Sequence, residues 1–377
     1  MSDAMEGESR DGSDTGDPPL LELEDLSVHF EKRTGLNPFA DPEVVQAVDD
    51  VSLEINETDT VVLVGESGSG KTTLGKAAIG LQRPTSGNVR YRGQDIWDAK
   101  DGRGRVEIAH REIRKSLQIV HQDPESALNK SMTVFNALSE ALHLRDEDLD
   151  SAGRRQRIYD VLAQVGLEPA PDYASRYPHQ LSGGEKQRVI LTRALLMNPD
   201  LVLADEAVSA LDVSLRIDMM DLMLELQEVF DTSYLFVSHN LSNARYLAER
   251  ANGRIGVMYL GNLVELGTPK QLIENPKHPY TKVLRWATPS LSLEEDDPGP
   301  PPVRQIDIPD ATNPPSGCRF HTRCPFATEV CTQTVPRLES ADDAQDAACF
   351  RQFDDHDYWD SDWLDADAAD AAAERQF

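Results

Sequence analysis

The sequence predicts an α/β fold: a mostly parallel sheet with an inserted helical subdomain and a small Cys-containing C-terminal extension. Three observations predict it. From Leu20 onward, short apolar runs of strand length alternate with longer stretches of helical spacing. Residues 133–196 keep helical spacing with no clear strand. All four cysteines, Cys318, Cys324, Cys331 and Cys349, lie late in the chain, after a Pro- and Asp-rich stretch.

Each element has its own reason. Residues 1–19 are acidic and carry almost nothing apolar to bury, so they are read as a disordered tail and not as a secretory signal. Thr60–Val64 is a short apolar run, the pattern of a strand buried on both faces. Lys71–Leu81 follows as a helix. Leu117–Val120, Leu201–Ala204, Tyr234–Val237 and Ile255–Tyr259 are further strands. Residues 287–316 shift to Pro, Asp and Ser and read as a linker. Residues 351–377 read as an acidic tail.

No apolar run approaches the roughly 20 residues that span a bilayer, so the expectation is a soluble protein whose membrane part, if any, comes from other chains. The net charge is −29, from 66 Asp and Glu against 37 Lys and Arg. Such a surface repels nucleic acid and anionic lipid. It suits a high-salt cytoplasm, where screening removes self-repulsion; an ordinary acidic protein is the alternative.

Gly65-Glu-Ser67-Gly68-Ser-Gly70-Lys71-Thr72 fits G-x-x-x-x-G-K-[ST], between a predicted strand and a predicted helix. Glycines let backbone N–H groups converge on phosphates, and the helix N-terminus adds positive potential. Lys71 then reaches the β- and γ-phosphates, the Thr72 hydroxyl ligates Mg²⁺, and Thr73 extends the loop's contacts. The strand Leu201–Ala204 ends in two acids. Asp205 is placed for the Mg²⁺ shell, and Glu206 to orient or deprotonate the attacking water. A pair of solvated acids is the bland alternative.

Leu181-Ser182-Gly183-Gly184-Glu-Lys-Gln-Arg188 resembles the signature sequence of ABC proteins. With it other pieces fall into family order. Gln122 resembles the Q-loop glutamine, a Mg²⁺ and water contact; Ser209–Asp212 resembles the D-loop; His239 resembles the switch histidine. Phe30 occupies the place of the aromatic that stacks on adenine, with a core phenylalanine as the alternative. The resemblance implies an ABC nucleotide-binding domain at 20–268, with its helical subdomain at about 126–196. It also implies that two such domains close head to tail over ATP, the signature of one covering the γ-phosphate of the other. Ala207 stands where Pro is usual, Asn240 where Asp often follows, and His121 where Phe is common. None of the three removes a group that meets ATP.

The stretches Gly65–Lys76, His121–Val134 and Asp205–Ser214 look like the ATPases of dipeptide and oligopeptide importers, a group that also handles nickel. Val257–Gly267, Glu274–Leu284 and Pro314–Cys331 agree with that group's C-terminal extension, here 269–350. The second of two paralogous ATPases is the better likeness. This implies two transmembrane permease subunits, a second ATPase subunit (a paralogue or a second copy), an extracytoplasmic substrate-binding protein, and a place on the cytoplasmic face of the membrane. A soluble ABC ATPase of DNA repair or translation is the alternative, and the acidity with a single nucleotide domain speaks against it. The spacing C-x₅-C-x₆-C-x₁₇-C offers four thiols for a [4Fe–4S] cluster or Zn²⁺. Four packed free thiols are the other reading.

Overall fold

The computed structural model describes residues 18–32, 43–121, 123, 127–146, 148–288, 302–304, 307–342 and 344–364. Gln122, the N-terminal tail to residue 17, half of the predicted linker and the last thirteen residues lie outside them.

The main sheet has eight strands in the order β11-β12-β10-β9-β3-β8-β7-β6. Their spans are β3 Thr60–Val64, β6 Leu117–Val120, β7 Leu201–Asp205, β8 Ser233–Val237, β9 Arg254–Tyr259, β10 Asn262–Gly267, β11 Glu339–Asp342 and β12 Gln345–Ala347. The run β9-β3-β8-β7-β6 is parallel throughout. Its strands read as unbroken apolar runs because both faces are covered. Val61 and Leu63 of β3 point into one core, Val62 and Val64 into the other. In β8, Leu235 and Val237 go one way and Tyr234 and Phe236 the other.

One core lies toward the helix Lys71–Ala78 and a second sheet. That sheet is antiparallel, in the order β2-β1-β4-β5, from β1 Leu21–Lys32, β2 Glu43–Ile55, β4 Ser86–Tyr91 and β5 Gln94–Asp95. The other core gathers the helical subdomain, with Leu138, Ile158, Leu162 and Val189 buried in it. Among the described residues of 133–196 lie the helices Val134–Arg145, Ser151–Gln164, Ala170–Ser175 and Gly183–Leu195 and no strand, as the spacing predicts.

Three features differ from expectation. Strands β1 and β2 do not feed the parallel sheet; with β4 and β5 they make the separate antiparallel one. The Cys-bearing extension is not a detached unit, since β12 pairs with β10 and carries the main sheet onward. The buried Glu265 carboxylate clamps that junction, accepting from the amides of Lys277 and His278 and from Gln345 Nε2. Finally, the predicted tail begins too early at 351. Tyr358 is buried and donates to the Phe326 carbonyl at 2.8 Å, and Thr328 bridges to Trp363, so packed structure continues to residue 364.

Candidate active site

Parallel strands point their carboxyl ends the same way, and ligands of such sheets bind at that edge. Here β3, β8, β7 and β6 are neighbours, with Leu63 beside Val237, Val237 beside Asp205, and Ala204 beside Val120. The residues that follow these four ends are the phosphate loop, His239, Glu206 and His121–Gln122. Segments separated by some 170 positions thus meet because of strand order alone.

The loop after β3 takes backbone shapes that side chains resist. Gly65 has φ 151° and Gly70 φ 100°. A Cβ on Gly65 would stand 2.1 Å from the Met258 carbonyl oxygen, and one on Gly70 2.1 Å from that of Ala47. Glycine is required at both. Lys71 is 5% exposed, and its ammonium donates to the carbonyls of Gly65 and Glu66, each at 2.8 Å. Burial pushes its pKa below the ordinary lysine value, while the carboxylates of Glu206, Asp205 and Glu66 push it back. Thr72 Oγ1 donates to Asp205 Oδ1 at 2.8 Å, which brings the two expected Mg²⁺ ligands together at the head of the helix. Hard oxygen donors of this kind suit Mg²⁺, which takes few protein ligands and completes its shell with phosphate and water.

Glu206 has φ 50°, in the left-handed region. Its amide donates to the Val237 carbonyl at 3.1 Å, and its carbonyl accepts from the amide and hydroxyl of Ser209. The backbone is held from both sides, which leaves the carboxylate free to point away from the sheet. His239 Nδ1 lies 3.5 Å from Glu206 Oε2. A cavity beside them is lined by Ala207, Ser209, Arg216 and Asn243 among others. Asn240 caps the helix Leu241–Arg250, its Oδ1 accepting from the amides of Ser242 and Asn243. Asn serves that cap as well as Asp does, so the departure at 240 is neutral for the fold.

Ser182 is the N-cap of Gly183–Leu195 in a capping box, its Oγ accepting from the Glu185 amide and its amide donating to Glu185. Ser182 and Gly183 are exposed, and neither they nor Gly184 line the cavity beside Glu206. Asp212 caps the helix Val213–Phe230 through the Leu215 amide at 3.0 Å. Phe30 is 40% exposed on β1 and is no core residue. It pairs with Val45, two positions from the Ala47 that abuts Gly70. Gln122 lies outside the described residues; its neighbour His121 follows β6, and the His121 carbonyl accepts from the buried Gln187 at 3.4 Å.

All four cysteines are free thiols and all line one cavity, with Phe320, Phe326 and Tyr358. Burial pushes Cys318 up to about 12 and Cys349 to about 11. Backbone amides of Phe326 and Arg351 donate to the sulfurs of Cys324 and Cys349. Among the described residues no three His, Cys, Asp or Glu side chains converge closely enough to hold one metal ion.

Sequence reasoning missed the residues that brace the loop from the extension. Tyr280 OH accepts from the Glu66 amide at 2.9 Å, and Arg323 pairs with the Glu66 carboxylate. They stand 214 and 257 positions away, and no local pattern marks them.

The family profile described as "ABC transporter" matches residues 48–209, and that described as "Oligopeptide/dipeptide transporter, C-terminal region" matches 264–331. The oligopeptide transport ATP-binding protein AppF of Bacillus subtilis is 39% identical over 88% of this chain and 96% of its own length. The di/tripeptide transport ATP-binding protein DppF of Pseudomonas aeruginosa is 40% identical over 88% and 97%. Among solved structures, cbiO1 of Clostridium perfringens, part of an ABC transporter complex, aligns with a TM-score of 0.56 over 71% of this chain and 96% of that one, at 22% identity, a likeness of fold alone. An ATP-binding cassette solved as a dimer in a post-hydrolysis state with ADP and Pi aligns with a TM-score of 0.54, at 26% identity, over 66% of this chain and 98% of that one. The chain belongs to the family of ATP-binding subunits of oligopeptide and dipeptide ABC transporters.

Proposed function

We propose that this chain hydrolyses ATP to drive import of dipeptides or oligopeptides. The observation that carries the reading is the shared carboxyl edge of β3, β8, β7 and β6, with Thr72 bonded to Asp205 and His239 beside Glu206, which supports one site for Lys71, Thr72, Asp205, Glu206 and His239. Lys71 leaves the loop carbonyls for the β- and γ-phosphates. Mg²⁺, when bound with ATP, neutralises phosphate charge; Thr72 and Asp205 would hold it, with Gln122 as the further contact. Glu206 accepts the proton of the attacking water, and His239 donates a hydrogen bond to the γ-phosphate and senses its loss. Ser182 and Gly183 face solvent, as a signature must if, with Gly184, it serves the ATP of a second subunit, and Asp212 belongs to the same proposed contact. Phe30 stacks on adenine.

In this reading residues 20–268 are the nucleotide-binding domain and 269–350 the extension that the family adds. Two permease subunits, a second ATPase subunit and an extracytoplasmic binding protein complete the importer. The permease partners would hold the chain peripherally at the membrane's cytoplasmic face; among the described residues no helix is long and apolar enough to cross a membrane. The acidic surface supports work in high salt.

Wild type and Glu206→Gln, assayed for MgATP binding and ATPase, test the motor. Binding in both with turnover only in wild type supports it; equal turnover sinks the role of Glu206. We also propose that Cys318, Cys324, Cys331 and Cys349 hold a [4Fe–4S] cluster. Four thiols on one cavity, with amides donating to two of the sulfurs, support this. Bound, the cluster would cross-link the extension. Anaerobically purified protein should carry iron and acid-labile sulfide, lost together in Cys349→Ser; neither in wild type would leave four free thiols.

A further inference from the structure

We propose that Arg323, from the C-terminal extension, is a positioning residue for the phosphate-binding loop. It acts by neutralising and anchoring Glu66, the loop's second residue. The inference rests on the ATPase reading above.

Glu66 is held on three sides. Its amide donates to Tyr280 OH at 2.9 Å, its carbonyl accepts from Lys71 Nζ at 2.8 Å, and its carboxylate oxygens accept from Arg323 Nη1 at 3.3 and 3.2 Å. The Arg323 side chain is 6% exposed, and that of Glu66 25%. The guanidinium carbon lies 5.7 Å from the centre of the Tyr259 ring and 5.6 Å from that of Phe320. Those rings pack on each other and on Tyr280, with centroids 4.5 to 5.5 Å apart. A rigid aromatic floor therefore fixes where the cation sits.

The charge logic gives this contact a purpose. The Glu66 carboxylate acts on the Lys71 ammonium together with those of Asp205 and Glu206. Asp205 and Glu206 have tasks in hydrolysis; Glu66 has none. Left alone it would hold Lys71 back from the nucleotide and repel the phosphates, which carry the same sign. Arg323 cancels that charge and turns the carboxylate toward the extension. Its side chain meets Glu66 and the rings of Tyr259 and Phe320, so in this proposal its effect falls on nucleotide affinity and not on the chemical step.

The test is a double-mutant cycle on the full chain, reading MgATP affinity with ATPase KM and kcat for wild type, Arg323→Gln, Glu66→Gln, the double variant and Arg323→Lys. Arg323→Gln should weaken MgATP binding and raise KM on the order of ten-fold, through an unpaired and poorly solvated carboxylate. Its kcat should stay within about two-fold of wild type, the pattern of lost uniform binding. The double variant should recover most of the affinity lost in Arg323→Gln, since both charges of the pair are then gone, and Arg323→Lys should fall between. If Arg323→Gln does not fold, Arg323→Lys replaces it: weaker MgATP binding with kcat kept supports the proposal, and wild-type binding overturns it. A folded Arg323→Gln that binds like wild type overturns it, as does a double variant as weak as Arg323→Gln. A wild type that binds no MgATP instead overturns the ATPase reading, and this inference with it.

Discussion

Glu206 sits at φ 50°, a region that costs a residue with a Cβ about 1–3 kcal/mol. The Val237 carbonyl and Ser209 hold it there by hydrogen bonds to its backbone. This makes Glu206→Gln an informative change. Gln has the same shape and Cβ, so strain and fold stay as they are, while the negative charge and with it the ability to accept a proton are lost. Turnover should fall about 100-fold or more, the scale of a lost general base, with MgATP affinity and melting temperature unchanged. Lys71→Ala should behave in the opposite way. Its ammonium already lies in the loop, bonded to two carbonyls, and removing it should weaken nucleotide binding itself. Wild-type affinity in Lys71→Ala would refute the placement of the loop.

The signature helix does two jobs with one residue. Ser182 caps Gly183–Leu195, and its hydroxyl is also the proposed contact to a neighbour's phosphate. Substitution separates the two. Asp is as good a cap as Ser, so Ser182→Asp should melt within about 0.5 kcal/mol of wild type, yet its charge opposes phosphate and ATPase should drop at least ten-fold. Ser182→Ala should cost about 1 kcal/mol of stability through the lost cap. Equal ATPase in Ser182→Asp and wild type would remove the anion role. Elements of this kind were legible in the sequence because local chemistry writes them: Gly70-Lys71-Thr72 before a helix, Ser182 with Glu185, apolar Thr60–Val64. The antiparallel sheet was less so, although Leu21 and Leu23 alternate with Glu22 and Glu24, the period of a strand with one wet face. Strand order was not legible at all, because pairing depends on partners far along the chain. That is also why Arg323 and Tyr280 went unread: their partner Glu66 is fixed by the packing of the extension, and a lone Arg beside a Cys has no signature.

At the scale of the molecule the excess of acids decides behaviour in salt. The net charge is −29, and Glu54, Glu228 and Asp231 are among the acids exposed at the surface. At about 0.1 M salt their field reaches roughly 10 Å, and at 1 M about 3 Å, so molar KCl removes most of the mutual repulsion that opposes the folded state. Salt also weakens exposed ion pairs, such as Arg83–Asp101 and Arg105–Glu107. Those contribute little at any salt concentration, whereas the buried Arg323 is screened much less. The balance therefore favours salt. Melting temperature should rise on the order of 5 °C between 0.1 and 2 M KCl, with ATPase rising alongside it. A neutral osmolyte at matched osmolarity should leave most of that rise absent, which separates charge screening from general compaction. A flat or falling melting temperature would mean that local pairing already balances the acids, and that this surface is an ordinary acidic one.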